Sequence, residues 1–267
     1  MNAFSQAVED GLTLTRRSIL KNFRNPDIVV FATVAPIAFA LLFGFVFGSA
    51  IDVGGSNYRE FMVIGILTQT MLLTATNTGV GIALDMKLGL VDRFRSMPIS
   101  QSAVLVGRTN GDAVNNVFVI ILLSLTGLAM GWRIRSGVLD AALGFLLLFL
   151  FAYAASWVTA AIGLTAKSPE VLGNAMLMVL LPLTFISNSF VPSEGLPTVL
   201  RVVADWNPVS AVVEACRQLF GNIPPGRPDP DVWPLQNPVL SAFLWVALIL
   251  VVFVPLAVRR YQRAVSS

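Results

Sequence analysis

The sequence predicts an all-α integral membrane protein with six transmembrane helices. Of its 267 residues, 55% are hydrophobic and only 12% are charged, and the mean hydropathy is +0.76. Soluble domains carry about twice that share of charged residues. Several apolar runs reach the roughly 20 residues that a helix needs to cross a bilayer. This length could otherwise form one or two soluble domains, and the apolar runs exclude that.

The six predicted spans divide the chain into an N-terminal segment, 1–28, and a transmembrane domain, 29–267. Spans 1 and 5 contain the internal prolines Pro36 and Pro182, which are expected to kink a helix. Turn residues or charged residues separate each span from the next. The spans are approximately Val29–Ser49, Phe61–Leu84, Val104–Met130, Leu139–Ala166, Val171–Val191 and Val239–Val258.

The N-terminal segment has the pattern of an amphipathic helix. Apolar residues recur at helical spacing from Phe4 to Phe23, and Asn25-Pro26 then ends the pattern. No apolar core of a cleavable signal precedes span 1. The pattern favours a helix in the membrane interface, with its basic face towards anionic headgroups, over a plain cytoplasmic helix. Its cations are Arg16, Arg17, Lys21 and Arg24.

Residues 192–237 are predicted to form a re-entrant helical hairpin and a loop. Leu196–Asp205 and Val209–Phe220 are helical in pattern, but each is too short to cross a bilayer. Trp206-Asn207-Pro208 separates them. The hairpin therefore dips into the extracellular leaflet or lies on it, and a loop rich in Pro and Gly follows.

The distribution of cations predicts the orientation. With both termini in the cytoplasm, two thirds of the 18 Lys and Arg residues lie in cytoplasmic segments. Cytoplasmic loops carry such an excess, so both ends are expected inside. The net charge of +3 is modest and indicates no nucleic-acid partner.

The residues exclude most enzyme chemistry. The chain has no histidine, which is the commonest general base and metal ligand. It has no phosphate-binding loop of the Gly-x-x-x-x-Gly-Lys-Ser/Thr type, and Cys216 has no histidine partner. We therefore expect no catalytic residues, no metal and no cofactor bound by this chain.

Polar side chains inside the spans have two interpretations. Span 2 is dense in threonine and amide groups, which either join helices or line a substrate path. Gln69 and Asn77 are expected to share a face and to find partners away from lipid. Helix joining is favoured for Asn188, at the outer end of span 5. The path candidates are Gln69, Thr70, Thr74, Asn77 and Asn188.

One ion pair and two glycine pairs are predicted within the spans. Asp112 lies four residues after Arg108, so the two side chains can pair on one helix face. The pairs Gly44/Gly48 and Gly127/Gly131 would let helices approach closely. Whether those contacts lie within the bundle or between subunits is open.

Leu84–Ser100 concentrates charge between spans 2 and 3. Leu84, Leu88, Val91 and Arg95 follow one helical stripe, and Pro98 ends it. The residue pattern alone favours neither of two interpretations, a helix that docks on a partner and an ordinary solvated loop. The residues that could make the contacts are Asp85, Lys87, Asp92, Arg93, Phe94 and Arg95.

The order and spacing of several motifs resemble the permeases of type-2 ABC exporters, and among them the daunorubicin-resistance-like permeases. The resemblance covers nearly the whole chain. Many relatives carry Glu-Arg where this chain has Asp85-Met86-Lys87. The matching motifs are Asp85…Lys87…Gly89…Arg93…Pro98-Ile99-Ser100, then Ser187-Asn188-Ser189-Phe190-Val191-Pro192, Trp206-Asn207-Pro208 and Arg217.

The resemblance implies a permease in the cell membrane that exports a hydrophobic or amphipathic molecule by alternating access. Two copies of a separate subunit would bind and hydrolyse ATP with Mg, and a second copy or a sister permease would complete the membrane core. Residues 84–98 would be the cytoplasmic coupling helix, and the N-terminal helix would connect to the ATPase. Residues 192–237 would narrow the exit, and spans 1, 2 and 5 would line the dimer interface and the path.

Two alternatives belong to other classes. An ion-coupled secondary transporter needs a buried carboxylate, and Asp112 is the fair candidate. A membrane scaffold would not transport at all.

Overall fold

The computed structural model describes residues 26–46, 58–89, 101–191, 193–223 and 230–266. These ranges contain helices and turns and no strand, which confirms the all-α class for this part of the chain. A 3-10 turn covers Ser193–Gly195. The helices are α1 Pro26–Val46, α2 Tyr58–Lys87, α3 Gln101–Ala129, α4 Val138–Gly163, α5 Pro169–Phe185, α6 Thr198–Asp205, α7 Pro208–Phe220, α8 Trp233–Gln236 and α9 Pro238–Ser266.

Four of the described helices are long and apolar enough to cross a membrane. They are α2, α4, the part of α3 from Leu105 and the part of α9 up to Arg263. The helix α5 has 17 residues, and the apolar stretch in α1 covers Val34–Val46. The chain is therefore a multi-pass membrane protein, and the count of six spans stays a prediction.

Helix α2 is the centre of the bundle. Almost every residue from Tyr58 to Ala83 is buried, although several of them are polar. It packs most extensively against α4 and also contacts α1, α3, α5 and α7. On the far side, α9 packs against α4 and α7 and exposes a row of leucine and valine side chains. An apolar surface of this kind suits contact with lipid.

Two glycines let α2 and α4 approach to backbone contact. A Cβ atom on Gly79 would lie 2.5 Å from the carbonyl oxygen of Thr159, and one on Gly163 would meet the backbone of Gly79. Thr159 also donates its hydroxyl to the carbonyl oxygen of Ala75, at 2.6 Å. Only glycine, whose side chain is a hydrogen atom, therefore fits at residues 79 and 163 of this crossing.

Gly79→Ala is expected to destabilise the protein by about 1–3 kcal/mol, because the added methyl group must push α2 from α4. Gly173→Ala, in α5, is the matched control, since a Cβ atom there would meet only Val80 Cγ2, at 3.7 Å. The measurement is the temperature at which the purified protein unfolds, monitored by size-exclusion chromatography. Equal temperatures for the two variants would contradict a tight crossing.

Span 5 ends earlier than the sequence predicts. We expected it to reach Val191, but α5 ends at Phe185 and the chain turns through the next residues. Pro182 has no amide hydrogen to donate, which weakens the last turn. Asn207 donates its side-chain amide to the carbonyl oxygens of Leu183, at 2.7 Å, and Ile186, at 3.2 Å. The end of α5 is thus fixed by the hairpin that follows.

Helices α6 and α7 lie where the two hairpin helices were predicted, and they differ strongly in burial. Helix α6 exposes apolar side chains such as Val199 and Val202. Helix α7 is almost wholly buried against α2, α4 and α9. The prediction that the hairpin dips into a leaflet or lies on it did not distinguish the two halves, and only α7 enters the bundle.

The predicted helix from residue 84 to residue 95 is not continuous. Residues 84–87 form the last turn of α2, and Gly89 then adopts a left-handed conformation with φ of 65°. Glycine at this position ends helices readily because it has no Cβ atom. The helix that contains Leu84 therefore ends before Gly89, and the rest of the predicted stripe, Val91 and Arg95, lies outside the described residues.

Candidate functional site

Two groups of mainly polar side chains lie in the bundle, each around one arginine, the first partly buried and the second fully buried. The Arg108 cluster consists of Thr78, Asp85, Arg108 and Asp112. The Arg217 cluster consists of Phe61, Asn188, Ser189, Glu214 and Arg217. Each joins helices that are far apart in sequence, so each is a candidate for a functional role.

In the Arg108 cluster, one guanidinium bridges two carboxylates. Arg108 Nη1 lies 3.4 Å from Asp85 Oδ2, and Arg108 Nε lies 3.4 Å from Asp112 Oδ2. Arg108 and Asp112 lie four residues apart, and this spacing predicted their pairing. Thr78 donates its hydroxyl to Asp112 Oδ2, at 2.7 Å. The guanidinium lies against the backbone of Gly81, where a side chain would displace it.

The Arg108 cluster ties α2 to α3 at the ends that flank residues 90–100. Asp85 comes from the last turn of α2, and Arg108 and Asp112 come from the first half of α3. The Asp85 side chain is only 25% exposed, so its carboxylate serves this internal pairing first. The cluster therefore fixes where the charged segment leaves one helix and enters the next.

Lys87 is the more accessible charge at this end of α2. Its amine lies 3.6 Å from Glu170 at the start of α5, and both side chains are more than half exposed. An exposed pair of this kind contributes about 0–1 kcal/mol. Lys87 can therefore exchange Glu170 for another partner at little cost.

In the Arg217 cluster, a fully buried guanidinium is shared among three elements. Arg217 Nη2 donates to the backbone carbonyl oxygens of Asn188, at 2.8 Å, Phe61, at 3.2 Å, and Ser189, at 3.3 Å. Its Nη1 lies 3.5 Å from Glu214 Oε2. The guanidinium carbon also lies 3.5 Å from the centre of the Phe61 ring. Arginine is suited to such a site because its donors spread in a rigid plane.

Asn188 connects the turn after α5 to α7. Its side-chain amide donates to Glu214 Oε2, at 3.1 Å, and its backbone amide donates to Ser210 Oγ, at 3.2 Å. Gly65 of α2 touches the backbone of Ser189 directly, so no side chain fits between them. The turn is thus held between α2 and α7.

The sequence around α7 explains why it can be buried. Asn207 caps its start by accepting a hydrogen bond from the Val209 amide, at 2.9 Å, and Pro208 has no amide hydrogen to satisfy. Gly221 ends it with φ of 72°. Both helix ends are therefore completed by groups of the chain and do not depend on water.

A further ion pair covers the end of α7. Arg135, in the connection between α3 and α4, bonds Glu60 Oε1 at 2.7 Å and donates its backbone amide to the Phe220 carbonyl oxygen at 2.9 Å. Hydrogen bonding to the Glu60 carboxylate, and then its charge, raises the pKa of Arg135 above its ordinary value. Asn222 accepts from Trp132 Nε1 at 2.9 Å and completes this cover.

The structure separates the predicted path residues. Gln69 is buried and donates to Thr184 Oγ1 of α5, at 3.4 Å, and Thr74 bonds back to its own helix. Thr70 is buried as well. Asn77 is exposed, so the expectation that it shares a sheltered face with Gln69 is wrong. Apart from Asn77, these contacts and those of Asn188 favour the helix-joining interpretation.

The glycine pairs make contacts within the chain where the structure describes them. A Cβ atom on Gly44 would lie 2.5 Å from Met130 Cε, and one on Gly127 would lie 2.7 Å from Val63 Cγ1. Gly131 has open space and φ of 103°. Gly48 lies outside the described residues. Gly44 and Gly127 therefore serve packing of α1, α2 and α3.

Some of the predicted contact residues lie outside the described residues, and their roles stay predictions. They are Arg16, Arg17, Lys21 and Arg24 of the N-terminal segment, and Asp92, Arg93, Phe94 and Arg95 of the charged segment.

The Arg217 cluster was not predicted as a buried site, although Glu214 and Arg217 lie three residues apart in a helical pattern. That spacing, in a segment too short to span a bilayer, was the available signal. Within the described ranges, no group of three or more Asp, Glu, Cys or His side chains could hold a metal ion.

The chain is similar to one family model and to several known proteins. Residues 10–220 match the family model described as ABC-2 type transporter. The chain is 32% identical over 218 residues to the daunorubicin resistance ABC transporter permease protein DrrB1 of Streptomyces coeruleorubidus, covering 82% of this chain and 77% of that protein. It is 24% identical to the probable doxorubicin resistance ABC transporter permease protein DrrC of Mycobacterium tuberculosis, covering 98% and 92%. It is also 24% identical to the putative transport permease ycf38 of Porphyra purpurea, covering 81% and 76%.

Proposed function

Because the chain belongs to the ABC-2 type transporter family, we propose that it is the membrane permease of an exporter driven by two copies of a separate ATP-binding subunit. The observation that supports this most is the Arg108 cluster, which holds the helix ends on both sides of the charged segment. The chain itself has no loop that could bind a nucleotide phosphate. The charged segment between these fixed helix ends would therefore transmit the energy of ATP hydrolysis from the ATP-binding subunits to the permease.

The proposed setting is a cell membrane with both termini in the cytoplasm. Helices α1 and α5 complete six spans with the four longer helices, and 17 residues is the short end of the range for a span. The excess of cations on the side of the termini supports this orientation.

A second permease copy or a sister permease is the proposed partner within the membrane. The second half of α2 exposes Asn77 and Leu84, and Leu88, directly after the end of the helix, is exposed as well. Next to it, α5 exposes apolar side chains on most of its surface, including Met178 and Val179. An exposed amide beside apolar side chains suits contact with protein better than contact with lipid. Asn77 is thus the path candidate that this interface would contain.

The proposed transport mechanism is alternating access. Closure of the ATP-binding subunits would push residues 90–100, and the Arg108 cluster would pass that movement to α2 and α3. The turn after α5 and α7 would follow, because the Arg217 cluster joins them to α2. The proposed cargo is a hydrophobic or amphipathic molecule, since two similar proteins bear names of drug-resistance permeases.

Replacing Arg93 and Phe94 together with alanine is expected to weaken coupling to the ATPase while the permease stays folded. The pair supplies the cation and the aromatic tip of the proposed docking surface. The measurement is ATP hydrolysis by the co-expressed ATPase, with and without the permease, alongside co-purification. Arg259→Ala, an exposed cation at the same side of the membrane, is the matched control.

Three results would count against the proposal. ATP hydrolysis by the permease alone would place the nucleotide site in this chain. Failure of every ATPase encoded nearby to co-purify would remove the energy source. A reconstituted complex that moves no substrate would favour the membrane-scaffold alternative.

A further inference from the structure

A cavity of about 440 Å³ lies between α3 and α4. Both helices are long enough to span the membrane, and exposed side chains such as Ile121, Leu125 and Leu146 place the cavity at the surface that faces lipid. No charged side chain lines it. The lining residues are Val117, Ile120, Ile121, Ser124, Leu125, Phe145, Leu146 and Phe149.

Ser124 is the single polar side chain of this lining. It is 8% exposed, and its hydroxyl has no hydrogen-bond partner within the described part of the chain. A buried hydroxyl without a partner is unfavourable in an apolar setting. An acceptor oxygen on a molecule in the cavity would satisfy it.

Arg133 lies just beyond the end of α3, on the face of the helix that lines the cavity. Its Nη1 donates to the carbonyl oxygens of Leu128, at 2.6 Å, and Trp132, at 2.8 Å. Leu128 lies one turn beyond Ser124 and Leu125, on the side of α3 that lines the cavity. The side chain is exposed, and among the described residues no carboxylate pairs with it. The two carbonyl bonds fix this cation where α3 reaches the headgroups.

The spacing of these features matches the dimensions of one bilayer leaflet. Val117 to Leu125 covers about 12 Å along α3, at 1.5 Å per residue. One leaflet contributes about 15 Å of hydrocarbon. From the middle of the bilayer to its surface, the order is the apolar groove, the hydroxyl donor of Ser124 and the cation of Arg133. A phospholipid has the same order of groups, namely acyl chain, ester oxygens and phosphate.

We propose that this groove binds one phospholipid. An acyl chain fills the groove, an ester oxygen accepts from Ser124, and the phosphate pairs with the remaining donors of Arg133. A purely apolar molecule would use the groove but not the cation. The site rests on the membrane location of the chain and not on transport; only its placement in the outer leaflet depends on the orientation proposed above.

The test is native mass spectrometry of the purified full chain in detergent, titrated with palmitoyl-oleoyl-phosphatidylglycerol. We expect one tightly bound lipid. Arg133→Gln is expected to weaken that binding roughly tenfold, because a charged hydrogen bond to phosphate is lost. Leu125→Trp, which fills the groove, is expected to have an effect of similar size.

The controls use the same substitutions elsewhere. Arg259→Gln and Leu248→Trp change an exposed cation and an exposed leucine of α9 and are expected to leave binding unchanged. If Leu125→Trp does not give a monodisperse protein, Ile121→Trp fills the groove from the neighbouring turn. Dioleoylglycerol, which has no phosphate, is expected to bind at least roughly tenfold more weakly.

Two outcomes overturn the proposal. Equal binding by wild type, Arg133→Gln and the groove-filling variant would leave only ordinary lipid contacts. Dioleoylglycerol binding as tightly as phosphatidylglycerol would make the groove a site for uncharged apolar molecules. Because no ATPase is present, neither result depends on whether the chain is an exporter subunit.

Discussion

Arg217→Met is expected to lower the free energy of unfolding by about 3–5 kcal/mol, the usual effect of removing one partner of a buried ion pair. Arg217 is fully buried, and it is bonded to Glu214 and to three backbone carbonyl groups. Without it, the Glu214 carboxylate stays buried and loses the charge that pairs with it, although the Asn188 side-chain amide still donates to it. The turn after α5 and Phe61 of α2 then lose the guanidinium that both share, while the bonds of Asn188 to α7 remain. The measurement is the unfolding midpoint of the purified protein.

Two further variants make this expectation specific. Arg201→Met removes an arginine that lies near two carboxylates, those of Asp205 at 3.8 Å and Asp231 at 3.0 Å. Asp205 is buried, but the Arg201 side chain is 38% exposed and its nearer partner Asp231 is 82% exposed, so a loss of about 1 kcal/mol or less is expected. Glu214→Gln combined with Arg217→Met removes the stranded charge and should recover part of the loss. Equal effects of Arg201→Met and Arg217→Met would contradict a structural role of the cluster.

Arg108→Gln is expected to reduce stimulation of the partner ATPase roughly fivefold or more, which is a modest coupling free energy between two sites. The variant leaves Asp85 and Asp112 without their shared cation, so the ends of α2 and α3 are no longer fixed across the charged segment. A loss of stability of about 1–3 kcal/mol should accompany it. ATP hydrolysis by the assembled complex measures the first effect, and thermal unfolding measures the second.

The same cluster discriminates between two sources of energy. Asp112→Asn keeps an acceptor for Thr78 but removes the charge that an ion-coupled transporter would need. ATP-driven transport should survive this change, while transport driven by an ion gradient should be abolished. Arg201→Gln serves as control for Arg108→Gln, because it removes a comparable ion pair far from the charged segment. An unchanged ATPase with Arg108→Gln would show that the cluster does not take part in coupling.

Much of the bundle could be predicted from the sequence because apolar runs of span length leave few other structures in a membrane. Spans 2, 3 and 4 agree closely with α2, α3 and α4, and the hairpin helices occur where Trp206-Asn207-Pro208 divides them. Helix ends were harder to place. Span 5 was drawn too long, because hydropathy does not register that Asn207 holds the carbonyl groups after Pro182.

The sequence by itself determined that this chain is a helical membrane protein, since its composition and its apolar runs are properties of the chain alone. It also determined the Arg108–Asp112 pair, because four residues make one turn of a helix. Only the tertiary structure decided that Asp85 joins that pair, that Asn77 is exposed while Gln69 is not, and that Arg217 is buried. These facts depend on which helix faces meet, and contacts between residues far apart in sequence set those faces. Periodicity within one helix does not.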